Sequence, residues 1–290
     1  MRDMDSSRGQ VTAVCVVFQL LPDPGQDPEV TAIDKRPRPG RLDVGPLGLL
    51  SDTQCDTTYH GGPDQALYAY ADEEAQWWAG DLDRDIPPGL FGENLRTSGI
   101  DVSGAEIGER WRIGDPATGA GVLVEVTSPR TPCPTFQARM GVPHWVKRFA
   151  QRGWPGAYLR VVTPGTVAAG DPVVVDRRPG HGVTVADTFL RPEPARMRTL
   201  LEAEAAGLVE LGAVMRGPIV STCVMMSSER PSYSCRSTSM NGSTRPPRRE
   251  VVLRTPLATA RTRPRSLVSS VMMRSASPSF WARRTTPSSR

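Results

Sequence analysis

From residue 11 to residue 178 the apolar residues fall into short runs, and a proline or glycine ends nearly every one. Val11–Leu21, Val30–Asp34, Ile107–Ile113, Gly121–Thr127, Ala157–Val162 and Pro172–Val175 read as strands. Leu42–Leu50 is a further apolar stretch, broken at Gly45-Pro46. Many short strands joined by Gly/Pro turns fold as a sandwich or barrel. Two segments depart from this pattern. Leu67, Tyr70, Ala71, Glu74 and Trp78 share one stripe at helical spacing, with Pro63 suited to the first turn. Val142–Gln151 reads as a short helix with Trp145 and Phe149 an i,i+4 pair. Val183–Leu190 and Ala195–Leu211 read as a helical appendage, capped at Thr184 and opened by Pro194. The expected fold class is mostly β (α+β): a barrel domain over residues 11–178 with inserted helices, a short helical appendage over residues 181–213, and a disordered tail over residues 214–290.

Charge separates the tail from the rest. Residues 217–290 hold thirteen Arg, no Lys, and only Glu229 and Glu250 as acids, a net of +11. The whole chain carries +4, so residues 1–216 carry 4 − 11 = −7. The basic pI therefore says nothing about the partners of the folded part. A Ser/Arg/Pro/Thr-rich segment without periodicity does not bury a core. Thirteen Arg beside no Lys also matches a shifted reading frame of a GC-rich gene. A nucleic-acid-binding tail is disfavoured, because aromatic interleaving is limited to Tyr233, Phe280 and Trp281.

Asp3 and Asp5 precede the first apolar run, which is short and strand-like, so no signal peptide is read. No run reaches the ~18–20 apolar residues of a membrane span. A reducing cytoplasm is the expected location. The five cysteines (Cys15, Cys55, Cys133, Cys223 and Cys235) include no CxxC pair, which argues against a zinc knuckle.

Cys133 differs from the others. It follows the apolar run Val122–Val126 and lies between Pro132 and Pro134, in a rigid loop at a strand end. A free buried cysteine is ordinarily a small hydrophobe, and Cys15, inside an apolar strand, is read that way. The loop setting shifts Cys133 toward a functional thiol. A second informative segment is Ser51–Asp64. Its Gly61-Gly62 turn, before the expected helix, suits presentation of backbone N–H groups to an anion. His60 beside it fits either that role or a structural hydrogen bond.

Five segments in order resemble one family: HGGPDQALYAY, GLFGENLRTSGID, IGERWRIG, VEVTSPRTPC and WPGAYLRVVTPGTVAAGDPVVV. They resemble the MOSC domain, named after the C-terminal part of molybdenum cofactor sulfurase, and most of all its YiiM-like branch. HGVTVADTFLR and ARMRTLLEA resemble the helical segment that follows the barrel there, so the likeness covers about residues 11–207. It implies a MOSC-type β-barrel with a cleft for a molybdenum cofactor of the molybdopterin type. It also implies that Cys133 is the catalytic thiol and metal ligand of the family's S-P-R-x-P-C loop. A family-level association with pyridoxal phosphate binding comes with it. One departure is Ser51-Asp52-Thr53-Gln54-Cys55-Asp56, where relatives often show G-D-x-Q-A-D.

A phosphate-bearing pterin needs N–H donors and cations. His60, Gly61 and Gly62 are candidates for the first, and Arg36, Arg38, Arg41 and Arg130 for the second. Glu93 and Asn94 either bond pterin edges or hold a turn. The resemblance implies an oxidoreductase that reduces N-hydroxylated bases or amines. The chain shows no nicotinamide or flavin fingerprint, so a separate electron-donor reductase is expected as partner. A sulfur carrier using a Cys133 persulfide, or a non-catalytic cofactor-binding module, are the alternatives. Oligomeric state is not readable from the sequence.

Overall fold

The computed structural model describes residues 7–24, 29–55, 61–118, 120–190 and 192–227. Of two units, Met1–Tyr233 and Ser234–Arg290, only the first contains described residues.

Strand β1 (Arg8–Pro22) pairs antiparallel with β2 (Val30–Pro37) along its second half. A tight hairpin of β3 (Leu42–Gly45) and β4 (Gly48–Leu49) follows. Strand β5 (Leu67–Ala71) runs straight into helix α1 (Asp72–Leu82), which crosses over to β6 (Leu95–Ser98). That crossover is why β5 and β6 pair in parallel while the other pairs are antiparallel. Strands β7 (Arg110–Asp115) and β8 (Ala120–Pro129) form a hairpin, followed by helices α2 (Pro134–Met140) and α3 (Trp145–Arg152). Then come β9 (Ala157–Thr163), β10 (Gly165–Val167), β11 (Pro172–Arg177), α4 (Pro194–Ala205) and α5 (Ala213–Ser227).

The strands β11-β7-β8-β9-β5-β6-β1 form a ring, closed where Arg8–Gln10 of β1 pair with Pro172–Val174 of β11. This is a seven-stranded closed barrel. Closure leaves no free edge in the ring. Strand β2 hangs outside it on the far half of β1, and β10-β3-β4 make a separate three-stranded sheet.

Four readings of the sequence are corrected. Leu67–Ala71 is a strand, not the start of a helix, and Pro63 opens only a 3-10 turn over Pro63–Gln65. All five β5 residues are buried, so the run shows no alternation to mark it as a strand. The segment after Cys133 is helical from Pro134. Val183–Leu190 carries a single 3-10 turn, Ala186–Thr188, with Thr184 Oγ1 accepting from the Asp187 N–H at 3.2 Å. The expected disorder does not begin at 214: α5 packs Met215 and Ile219 into the core beside Met197 and Leu200 of α4. Residues 228–290 lie outside the described residues, and so does the reading-frame expectation.

Two apolar clusters fill the unit. The first fills the barrel and takes in α4 and α5. The second is aromatic and joins α1, α2 and α3 to β5. Phe149 sits in it with ring centroids 5.1 Å from Phe136, 5.6 Å from Trp145 and 6.1 Å from Trp78. Phe149→Ala removes a fully buried ring from this cluster, and a loss of ~3–5 kcal/mol is expected in the urea-unfolding free energy.

Glu74 on α1 is buried, and its Oε2 has no hydrogen-bond partner. Burial pushes its pKa from 4.5 to about 8; a Ser103 bond opposes this, and the nearby Asp101 and Glu73 add to it. The folded state therefore keeps this proton better than the unfolded chain. The contribution of Glu74 to stability is full below about pH 4.5 and falls as pH rises toward about 8. Glu74→Gln is expected to flatten that fall, read as the urea midpoint across the same window.

Candidate functional site

The β8 strand ends at Pro129, and Arg130-Thr131-Pro132 carry the chain to Cys133. Pro134 at the first turn of α2 makes Cys133 the N-cap residue, extended at φ −127° and ψ 171°. Its carbonyl accepts from the Gln137 N–H at 3.0 Å, and its side chain makes no cap bond. The half-buried thiol is left to face a cleft with about 940 Å³ of empty space, partly open to solvent.

The cleft opens where the β1–β2 ribbon leaves the barrel. Thr31, Ala32, Ile33 and Lys35 of β2 line it. So do Thr53, Gln54 and Cys55, then Gly61, Gln65 and Tyr68, and Gly92 and Asn94. Arg130, Cys133, Thr135 and Tyr158 complete the wall. The described lining residues include two cationic side chains, Lys35 and Arg130, and one carboxylate, Asp23, which accepts from Thr135 Oγ1 at 2.6 Å.

Arg130 is buried, with its guanidinium 3.9 Å from the Phe136 ring centroid and 5.2 Å from that of Tyr68. Its Nη1 donates to the Phe91 carbonyl. Burial opposes its charge, but its pKa still lies above the ordinary arginine value, so it stays protonated. Burial raises both phenols, so Tyr68 and Tyr158 stay neutral. Arg130 is thus a fixed positive charge on the same cleft wall as the thiol. Lys35 is buried and paired with Asp52, which also accepts from Val17 N at 2.8 Å and Asn94 Nδ2 at 2.7 Å.

Of the residues singled out from sequence, Cys133, Arg130, Gly61 and Asn94 line the cleft. His60 lies outside the described residues. Gly61 has φ +91°, and a Cβ there would fall 1.9 Å from Gln54 Oε1, so glycine is required. Its N–H donates to Gln65 Oε1 at 3.0 Å, so it serves the rim itself. Gly62 does not line the cleft. Asn94 is fully employed, with Oδ1 accepting from Tyr68 N at 3.1 Å and Nδ2 donating to Cys15 O at 3.3 Å and to Asp52.

Glu93 and Arg41 do not line the cleft. Glu93 is wholly buried, accepts from Gly89 N at 2.8 Å and Phe91 N at 3.0 Å, and pairs with Arg96. It holds a turn. That turn carries Phe91, whose carbonyl anchors Arg130, so Glu93 shapes the site at one remove. Arg41 is fixed elsewhere by Asp171, through bonds of 2.6 and 2.9 Å. Arg36 pairs with Asp34 and covers the Phe18 ring, and neither it nor Arg38 lines the cleft. Cys15 is buried with its thiol pushed up to about 12, mainly by burial, as a structural cysteine should be. Ser51, where relatives often have Gly, has no positive φ, so the turn there accepts it.

Sequence reading missed Lys35, Tyr68, Tyr158, Gln54 and Gln65. Lys35 lies just past Val30–Asp34, the run that reads as a strand, whereas β2 extends through Pro37. The tyrosines stand in strands whose apolar character signals core.

The MOSC domain model matches residues 56–174. The chain is 32% identical over 155 residues to the uncharacterized protein YflK of Bacillus subtilis, covering 53% of this chain and 67% of that one. The chain belongs to the MOSC domain family. Within the MOSC family it is YiiM-like. Protein YiiM of Escherichia coli is 32% identical over 147 residues, 49% of this chain and 62% of its own length. A protein named Reductase from Gibberella moniliformis is 30% identical over 159 residues, which make up 52% of this chain but 27% of that protein. The crystal structure of YiiM from Geobacillus stearothermophilus superposes with a TM-score of 0.58 at 24% identity, covering 74% of this chain and 99% of that one. The last likeness concerns the MOSC fold. Among the described residues no helix is long and apolar enough to cross a membrane.

Proposed function

We propose that this chain holds a molybdenum cofactor of the molybdopterin type in the cleft, with the Cys133 sulfur on the metal, and that it reduces N-hydroxylated bases or amines. The observation that carries this reading is the pairing of Cys133 with buried Arg130 on one cleft of a MOSC barrel. The donor set fits the group. Molybdenum accepts soft sulfur ligands, and a thiolate is one. Among the described residues no group of three or more His, Cys, Asp or Glu could hold a bare ion, so the metal would bring its remaining ligands with it.

The chain's own residues have these roles. Cys133 would hold the metal through its sulfur and give up its proton on ligation, with the buried Arg130 charge lining the same cleft. The Gln54 and Gln65 side chains and the neutral phenols of Tyr68 and Tyr158 offer polar edges for a pterin. Lys35, anchored by Asp52, is the second cation for an anionic group. When bound, the cofactor supplies the two-electron step by which R–NHOH, two protons and two electrons become R–NH₂ and water. The electrons come from a separate reductase.

The test is reduction of 6-hydroxylaminopurine by the full chain, made in a host that synthesises the cofactor and supplied with dithionite-reduced viologen. Steady formation of the aminopurine is expected. A metal-loaded, folded chain that leaves the substrate untouched would contradict the reading.

A further inference from the structure

Cys133 does not face its cleft as the only thiol. Cys55 lines the same space and, like Cys133, is free and half-buried. The two sulfurs sit in different settings. Cys133 is fixed at the cap of α2 beside the buried Arg130 charge. Cys55 ends the segment Thr53–Cys55, which belongs to no helix or strand. Asp52 anchors one end of that segment to β1, Lys35 and Asn94, and Gln54 Nε2 donates to Gln65 O at 3.2 Å. One thiol is therefore set at a helix cap near a fixed charge, and the other on an irregular stretch of the rim.

We propose that Cys55 and Cys133 form a peroxide-responsive thiol pair that closes the cleft as a disulfide. The Cys133 sulfur attacks one oxygen of hydrogen peroxide, breaking the O–O bond, and becomes a sulfenic acid, its proton leaving with the other oxygen as water. The Cys55 thiol, losing its proton, then attacks the sulfenic sulfur and displaces a second water. In sum, two thiols and one peroxide give one disulfide and two waters. Burial raises the Cys55 thiol, which suits it to the second step rather than the first. A disulfide asks its Cα atoms to approach within about 7 Å, so the Thr53–Cys55 rim moves toward α2 on closure. Closure removes the Cys133 sulfur from any ligand in the cleft and protects it from irreversible oxidation. A cleft whose key thiol is exposed to oxidants gains a recoverable state in this way.

The bridge needs no cofactor, so it stands or falls separately from the molybdenum reading. The full chain, purified without metal, is treated with one equivalent of hydrogen peroxide, alkylated and mapped by mass spectrometry. A linked Cys55–Cys133 peptide is expected, lighter by two hydrogens and released by dithiothreitol. Cys55→Ser and Cys55→Ala are both expected to lose the link and to accumulate sulfinic acid at Cys133. Two results would overturn the proposal. One is sulfinic acid at Cys133 to the same extent in the unsubstituted chain and both variants, with no linked peptide. The other is a Cys133 link to Cys223 or Cys235 in place of Cys55.

Discussion

Cys133→Ala is expected to abolish reduction of 6-hydroxylaminopurine while leaving the protein folded. Loss of a partner in the outer shell of a metal site costs up to about 100-fold, and loss of the protein's own ligand should exceed that. The fold should survive, because the thiol makes no cap bond and is only half-buried. Its removal should change the unfolding free energy by less than about 1 kcal/mol. The pair of measurements is turnover with a viologen donor and a urea titration. Turnover that persists in Cys133→Ala would remove the thiol from the chemistry.

Glu93→Ala is expected to have the opposite signature, a large loss of stability. The carboxylate is wholly buried and takes two backbone N–H donors from the 89–91 turn besides the Arg96 guanidinium. Without it, Arg96 stays buried with Asp72, at 3.3 Å, as its remaining charged partner among the described residues. Breaking such a pair from one side costs ~3–5 kcal/mol, comparable to the whole stability of many domains. Glu93→Gln keeps acceptors for part of the turn but loses the charge, so a smaller loss is expected. Gly89 adds a geometric reason for the tightness of this turn: at φ +86°, a Cβ there would lie 2.3 Å from the Lys35 carbonyl. The turn, β2 and the Phe91 anchor of Arg130 are thus built as one piece. Chemical denaturation of both variants measures the effect, and an unchanged midpoint in Glu93→Ala would refute it.

The behaviour of Glu93 shows where sequence reasoning reaches its limit. A charged residue in a Gly-rich loop next to an asparagine looks like a ligand contact. Only the arrangement of Arg96 three residues on, buried against it, shows a structural role. Arg41 misled in the same way, because its partner Asp171 is 130 residues distant. By contrast, the strand pattern, the Trp145/Phe149 helix and the Cys133 loop were readable, since each rests on local period or on proline chemistry. Strand β5 was not, because a strand buried on both faces loses its alternation. Helix α5 was hidden by Gly217-Pro218, a pair that ordinarily ends a helix, yet Met215 and Ile219 on either side bury against α4 and the barrel.

The most direct test of the account is molybdenum content. The full chain and Cys133→Ala are expressed in a host that makes the cofactor, purified gently, and assayed for metal per folded chain. Close to one molybdenum in the unsubstituted chain and almost none in Cys133→Ala is the predicted result. Folded protein without molybdenum in either, or with equal molybdenum in both, would contradict it.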